Sequence, residues 1–87
     1  MLVRYFAAAR AATGIDEERV DVADGMTLGD LAGMLAQKHP AAADGQATLA
    51  AVLTRCSFLR NGIATTDRTR ALSPDDLVDV LPPFAGG

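Results

Sequence analysis

The 87-residue chain has one cysteine, Cys56, and one histidine, His39. A single cysteine excludes an internal disulfide and leaves no thiolate cluster to hold a metal. Cys56 belongs to no CxxC motif and has no evident histidine partner, so it reads as a packed or partly exposed bystander. His39 stands directly before Pro40, where a solvated or last-turn histidine is the expectation. Basic residues are also scarce: eight Lys plus Arg against eleven Asp plus Glu leave a net charge of −3. The phosphate attraction behind nonspecific nucleic-acid binding is therefore missing. No apolar run approaches the roughly 20 residues of a membrane span, and the opening residues show no charged leader followed by an apolar core. A soluble, cytoplasmic protein is expected, with neither nucleic acid nor membrane as partner. The chain also lacks a P-loop, a dinucleotide fingerprint and a nucleophile paired with a base, so it is expected to bind no cofactor or metal and to catalyse nothing alone.

What is present suits one small fold. Domains usually need at least about 50 residues, which leaves no room for a second core. A hydrophobic share of 49% without a low-complexity tract can supply that core and argues against disorder.

The run Leu2–Phe6 reads as a first strand, and the alanine-rich segment Ala7–Thr13, stopped by Gly14, as a short helix or turn. Glu18–Val22 alternates polar and apolar side chains and is closed by Asp24-Gly25, which predicts a strand pairing with the first. Thr27 caps the main helix with Asp30 in its first turn, and Leu28, Leu31 and Leu35 line one face of it to about His39. Pro40 ends this helix, and residues 41–46 read as a loop. Leu49, Val52 and Leu53 suggest one more helical turn. Ser57–Arg60 and Ile63-Ala64 are strand pieces joined by Asn61-Gly62, the strongest hairpin signal in the chain. Ser73–Asp76 is a turn, and Leu77–Leu81 a buried last strand. The order fits an α+β architecture: a β-grasp, ubiquitin-like roll with a mixed sheet and one main helix on one face, spanning residues 1–81.

Residues 82–87 are expected to form an extended C-terminal tail, Pro82-Pro83-Phe84-Ala85-Gly86-Gly87: a stiff stem, an aromatic, then two residues without Cβ atoms. Such a tip fits a narrow channel in another protein, since Gly86 and Gly87 let a wall approach the backbone closely. A glycine pair alone is weak evidence, because chain ends are commonly frayed. A terminal carboxylate is a poor electrophile and needs activation, most simply as an acyl-adenylate. Without its own ATP site, this chain would depend on another enzyme for that step.

The segment Val3-Arg4-Tyr5-Phe6-Ala7-Ala8-Ala9-Arg10 with Gly14, and the closing Asp75-Asp76-Leu77-Val78-Asp79-Val80-Leu81-Pro82-Pro83-Phe84-Ala85-Gly86-Gly87, resemble the molybdopterin synthase small subunits, a family of sulfur carriers, from end to end. The resemblance implies that an E1-like enzyme uses ATP to adenylate Gly87 and that sulfur from a persulfide donor makes a thiocarboxylate. The tail residues Phe84, Ala85 and Gly86 then carry it into the synthase large subunit, within a heterotetramer of two small and two large subunits. Phe6, Leu81, Phe84 and Ile63 (or Ala64) match hydrophobic partner-binding positions, for each of which core packing is at least an equal alternative, and Pro82 and Pro83 complete the partner-binding set. Arg10 pairs with a partner carboxylate or is simply solvated. The terminal Gly-Gly is shared by carriers for thiazole, cysteine or tRNA thiolation and by ubiquitin-like modifiers, and a bare interaction module with an idle tail is a further alternative.

Overall fold

A computed structural model describes residues 1–42 and 45–83. Its elements in chain order are β1 (Leu2–Tyr5), α1 (Ala7–Thr13), β2 (Glu17–Arg19), α2 (Leu28–Lys38), α3 (Leu49–Leu53), β3 (Ser57–Arg60), β4 (Ile63–Thr65) and β5 (Leu77–Leu81). The strands form one sheet in the order β2-β1-β5-β3-β4. The central β1–β5 pairing is parallel, while β1–β2, β3–β4 and β3–β5 are antiparallel. This is the mixed sheet expected of the β-grasp roll.

Local signals explain most of the boundaries. Gly14 at φ 75 ends α1 and donates its N–H to the Arg10 carbonyl, a left-handed stop that a Cβ would disfavour. Thr27 and Asp30 form a reciprocal capping box at the start of α2, satisfying two N–H groups that the helix itself cannot. Asn61 at φ 52 and Gly62 at φ 83 have the paired positive φ of the expected two-residue hairpin turn.

Two boundaries differ most from the sequence reading, while β4 runs one residue further than expected, to Thr65. The second strand spans Glu17–Arg19 rather than Glu18–Val22, because its partner β1 is only four residues long and the ladder ends near the chain start. Met1 and Val20 still exchange backbone bonds at 3.0 and 2.9 Å, which buries Val20 beyond the strand proper. Phe6 leaves the first strand and becomes the N-cap of α1, with Ala7 at φ 49 turning the chain sharply.

One face of the sheet makes the core. Val3, Tyr5, Phe58, Val78 and Val80 pack in one cluster with Leu28, Leu31 and Leu35 of α2 and Leu49 of α3, all essentially inaccessible. Complete burial of such side chains contributes about 1.5–3 kcal/mol each, so this layer supplies most of what opposes chain entropy. The polar exception is Glu18 at the β2 edge. Its carboxylate accepts from the Tyr5 hydroxyl at 2.6 Å, lies 2.6 Å from His39 Nε2 and pairs with the Lys38 ammonium, tying β1 and β2 to the end of α2. Among the described residues, no buried side-chain nitrogen or oxygen lacks a partner.

Candidate functional site

Among the described residues no helix lies on the opposite face of the sheet, and the residues of that face follow from register. Arg4 pairs with Asp79, Asp79 with Leu59 and Leu59 with Ala64, so these four side chains stand in one row away from the core. Leu2 and Leu77 flank that row on one side, Phe6 and Leu81 on the other. Leu2, Leu59, Leu77 and Leu81 are half-buried, and Phe6 is 39% exposed.

At the centre Asp79, only 5% exposed, receives a fork from Arg4: Nε at 2.6 Å and Nη2 at 2.9 Å. The hydrogen bond to Asp79 raises the Arg4 guanidinium further above its already high range, more than burial lowers it. The guanidinium carbon lies 5.8 Å from the Phe6 ring centre. The face over β1, β5 and β3 is thus largely apolar around one neutralised charge pair, with the exposed Glu17 and Arg19 of β2 at its edge, a composition suited to burial against another protein.

The sequence-derived partner set divides on this geometry. Phe6 and Leu81 follow the paired Tyr5 and Val80 at the same end of the sheet, and the Phe6 N–H reaches the Val80 carbonyl at 3.3 Å. The stem continues from there, with Pro82 half-buried and Pro83 exposed. Ile63 does not join them. It pairs with Arg60, which pairs with the fully buried Val78, so it stands on the helix side of the sheet, 72% exposed. Ala64, the alternative to Ile63, stands on the outer face.

Leu2, Leu59, Leu77 and the Arg4–Asp79 pair were missed by sequence reasoning. The alternation in Leu77-Val78-Asp79-Val80-Leu81 held the signal, since a charged residue inside a strand demands a cross-strand partner on the same face. Arg10 is solvated, its side chain 65% exposed, and pairs with the similarly exposed Asp16 of its own chain at 2.5 Å. Phe84, Ala85, Gly86 and Gly87, the predicted tail and reactive end, lie outside the described residues.

Cys56 is half-buried, and its thiol donates to the Val52 carbonyl at 3.2 Å. Burial pushes it up to about 11, against a smaller lowering by Arg68, which suits a bystander. His39 is engaged with Glu18 and the Tyr5 ring edge rather than solvated. Among the described residues no group of three or more His, Cys, Asp or Glu side chains is arranged to hold a metal ion. No helix there is long and apolar enough to cross a membrane.

A five-stranded roll with this strand order, an open apolar face and a terminal Gly-Gly invites comparison with known proteins, and a model of the ThiS family matches residues 3–87. The chain belongs to the ThiS family. It is 31% identical over 86 residues to the molybdopterin synthase sulfur carrier subunit of Chlamydomonas reinhardtii, covering 98% of this chain and 95% of that one. Its fold is similar to the small archaeal modifier protein 1 of Haloferax volcanii, with TM-score 0.72, 26% identity and 95% of each chain covered. It is also similar in fold to a chain in the complex of subunits 1 and 2 of the Helicobacter pylori molybdopterin-converting factor. That match has TM-score 0.62 and 21% identity, and covers 99% of this chain and 96% of the other. This ThiS-family member therefore has the β-grasp fold.

Proposed function

We propose that the chain is a sulfur carrier in molybdenum cofactor biosynthesis, working in the cytoplasm, with the Gly87 carboxyl group as its reactive end. The observation that carries this reading is the near-full-length similarity to a molybdopterin synthase sulfur carrier subunit, together with a family match that extends to Gly87 itself. The domain at 1–81 serves as a handle and residues 82–87 as the probe. An E1-like partner lets the Gly87 carboxylate attack the α-phosphorus of ATP, releasing pyrophosphate. A persulfide sulfur then attacks the carbonyl carbon, a C–S bond forms, and AMP departs with the electrons of the broken C–O bond. A thiol cleaves the remaining S–S bond and leaves the thiocarboxylate.

Phe84, Ala85 and Gly86 carry that group into the large subunit of the synthase, in an assembly of two small and two large subunits. Phe6, Leu81, Pro82 and Pro83 form the partner contact nearest the tail, continuous with the outer face, and Ile63 contributes from the helix side. The large subunit supplies the pterin site. ATP and the sulfur donor belong to the activating partner.

Intact mass tests this directly. After incubation with ATP, a cognate E1-like enzyme and a sulfur donor, one oxygen should be exchanged for sulfur, and removal of Gly87 should abolish the exchange without changing the unfolding midpoint. No exchange with a demonstrably active enzyme would refute the carrier role.

Similarity to a small archaeal modifier protein favours one second reading, in which activated Gly87 acylates a target lysine. That reading predicts isopeptide adducts in the same mixture. Carriers for thiazole, cysteine or tRNA thiolation would gain the same sulfur but would not support dithiolene formation by the synthase large subunit.

A further inference from the structure

An activated acyl group reacts with any accessible amine or thiolate, those of its own protein included. In this chain such groups are few. The sequence holds one lysine, Lys38, one cysteine, one histidine and one tyrosine. Each is engaged within the fold, and so is the amine of Met1. The Met1 ammonium donates to the Val20 carbonyl at 3.0 Å and belongs to a buried residue. The half-buried Cys56 thiol donates to the Val52 carbonyl, and burial keeps it from ionising near neutral pH.

The remaining three converge on one carboxylate. Glu18 Oε2 accepts from the Tyr5 hydroxyl and lies 2.6 Å from His39 Nε2, while Oε1 pairs with the Lys38 ammonium. Tyr5 is buried, which pushes its hydroxyl above its ordinary range, and the His39 side chain is only 17% exposed. Packing therefore closes off both. Lys38, the last residue of α2, differs: its side chain is 50% exposed, so a reagent reaches it and the ion pair is what restrains it. An ammonium has no lone pair. To attack a carbonyl, Lys38 has to leave Glu18 and give up a proton.

We propose that Glu18 is a guard, and that by holding Lys38 it slows acylation of the chain's single lysine by acyl-adenylates, that of Gly87 included. In the guarded reaction the freed amine, after losing one proton, attacks the carbonyl carbon. A C–N bond forms, the C–O bond to AMP breaks with its electrons, and a second proton leaves as the amide forms. The naming of Gly87 as donor rests on the carrier reading, whereas the shielding of Lys38 does not.

The test treats the full chain with acetyl-adenylate at pH 7.5 and follows intact mass and peptide maps. The first acetyl group should appear at Lys38, about two- to fivefold faster in Glu18→Gln than in wild type, the range expected of one half-exposed ion pair. Glutamine keeps an oxygen for the Tyr5 hydroxyl. Tyr5→Phe loosens the same cluster without removing the charge and should not accelerate acylation. High salt should speed the wild type and leave Glu18→Gln unchanged. Equal rates in wild type and Glu18→Gln would overturn the proposal, as would first acetylation at Met1 or Cys56, or a Tyr5→Phe rate as high as that of Glu18→Gln. In a second arm, an E1-like enzyme and ATP without a sulfur donor should link Gly87 to Lys38 in Glu18→Gln, less in wild type, and not in Lys38→Arg. No such link, in a mixture that installs sulfur once the donor is added, would overturn the guard against Gly87. Neither link nor sulfur would instead count against the carrier reading, with the acetyl-adenylate rates still deciding the shielding.

Discussion

Glu18 is a polar residue whose loss should cost the fold heavily. Its side chain is 10% exposed and joins three elements: Tyr5 on β1, its own strand β2, and Lys38 and His39 at the end of α2. Glu18→Ala strips the buried Tyr5 hydroxyl of its acceptor, and losing a hydrogen bond to a charged group costs about 1.5–3 kcal/mol. The half-exposed Lys38 pair adds only about 0–1 kcal/mol. The expected loss is therefore about 3 kcal/mol, a large part of the total stability of roughly 4–13 kcal/mol for a domain of this size. The melting temperature should fall by more than about 10 °C.

Acidification should act in the same direction. Burial pushes the Glu18 carboxyl up, but hydrogen bonds from Lys38, Tyr5 and His39 and the nearby ammonium outweigh it, leaving it below its ordinary value of 4.5. A depressed carboxyl contributes stability that is complete above the unfolded value near 4.5 and is lost as pH falls through the lower folded value. Urea unfolding of wild type, Glu18→Ala, Tyr5→Phe and the double variant, at pH 7 and pH 3, checks both points. A Glu18–Tyr5 coupling below about 0.5 kcal/mol, or a Glu18→Ala loss as large at pH 3 as at pH 7, would refute the reasoning.

Three further outcomes follow from other parts of the fold. Because burial pushes the Cys56 thiol up to about 11, its alkylation by iodoacetamide at pH 8 should be roughly 100-fold slower in the folded chain than in urea; equal rates would show the thiol is not sheltered. Asn61→Asp should destabilise by about 2 kcal/mol at pH 7 and less at pH 4, since the amide that donates to Asp76 at 2.9 Å becomes a second carboxylate, whereas Asn61→Gly keeps the turn and should lose less to charge. Thr27→Ala removes the hydroxyl that accepts from the Asp30 N–H and should cost about 1 kcal/mol, visible as a lower urea midpoint with an unchanged slope.

Local elements were readable because their causes are local. Gly14, the Thr27–Asp30 box and Asn61-Gly62 each act within a few residues, so sequence alone located α1, the start of α2 and the β3–β4 turn. The strand opposite β1 was displaced toward the chain start because strand length depends on the partner's length, and the partner is not local. The Glu18 cluster was invisible for a related reason: its members, Tyr5, Glu18, Lys38 and His39, come from three separate elements, and His39 looked like a solvated helix end until β2 was placed beside it. The candidate site shows the same division. Phe6 and Leu81 were found as hydrophobic residues near the stem, but the opposite placement of Ile63 and Ala64 was not, because a shift of one residue in register reverses every side chain of a strand.

The sequence by itself determined the elements, the family and the terminal Gly-Gly, since caps, turn residues and alternation act over a few bonds and a tail is a matter of residue order. Tertiary structure alone decided the sidedness: β1 and β5 pair in parallel, Arg4 meets Asp79 across 75 residues of chain, and Ile63 is left uncovered on the core side. The physical reason is that a side chain's face is set by hydrogen-bond register between distant strands, a choice made only when the whole sheet closes over its core.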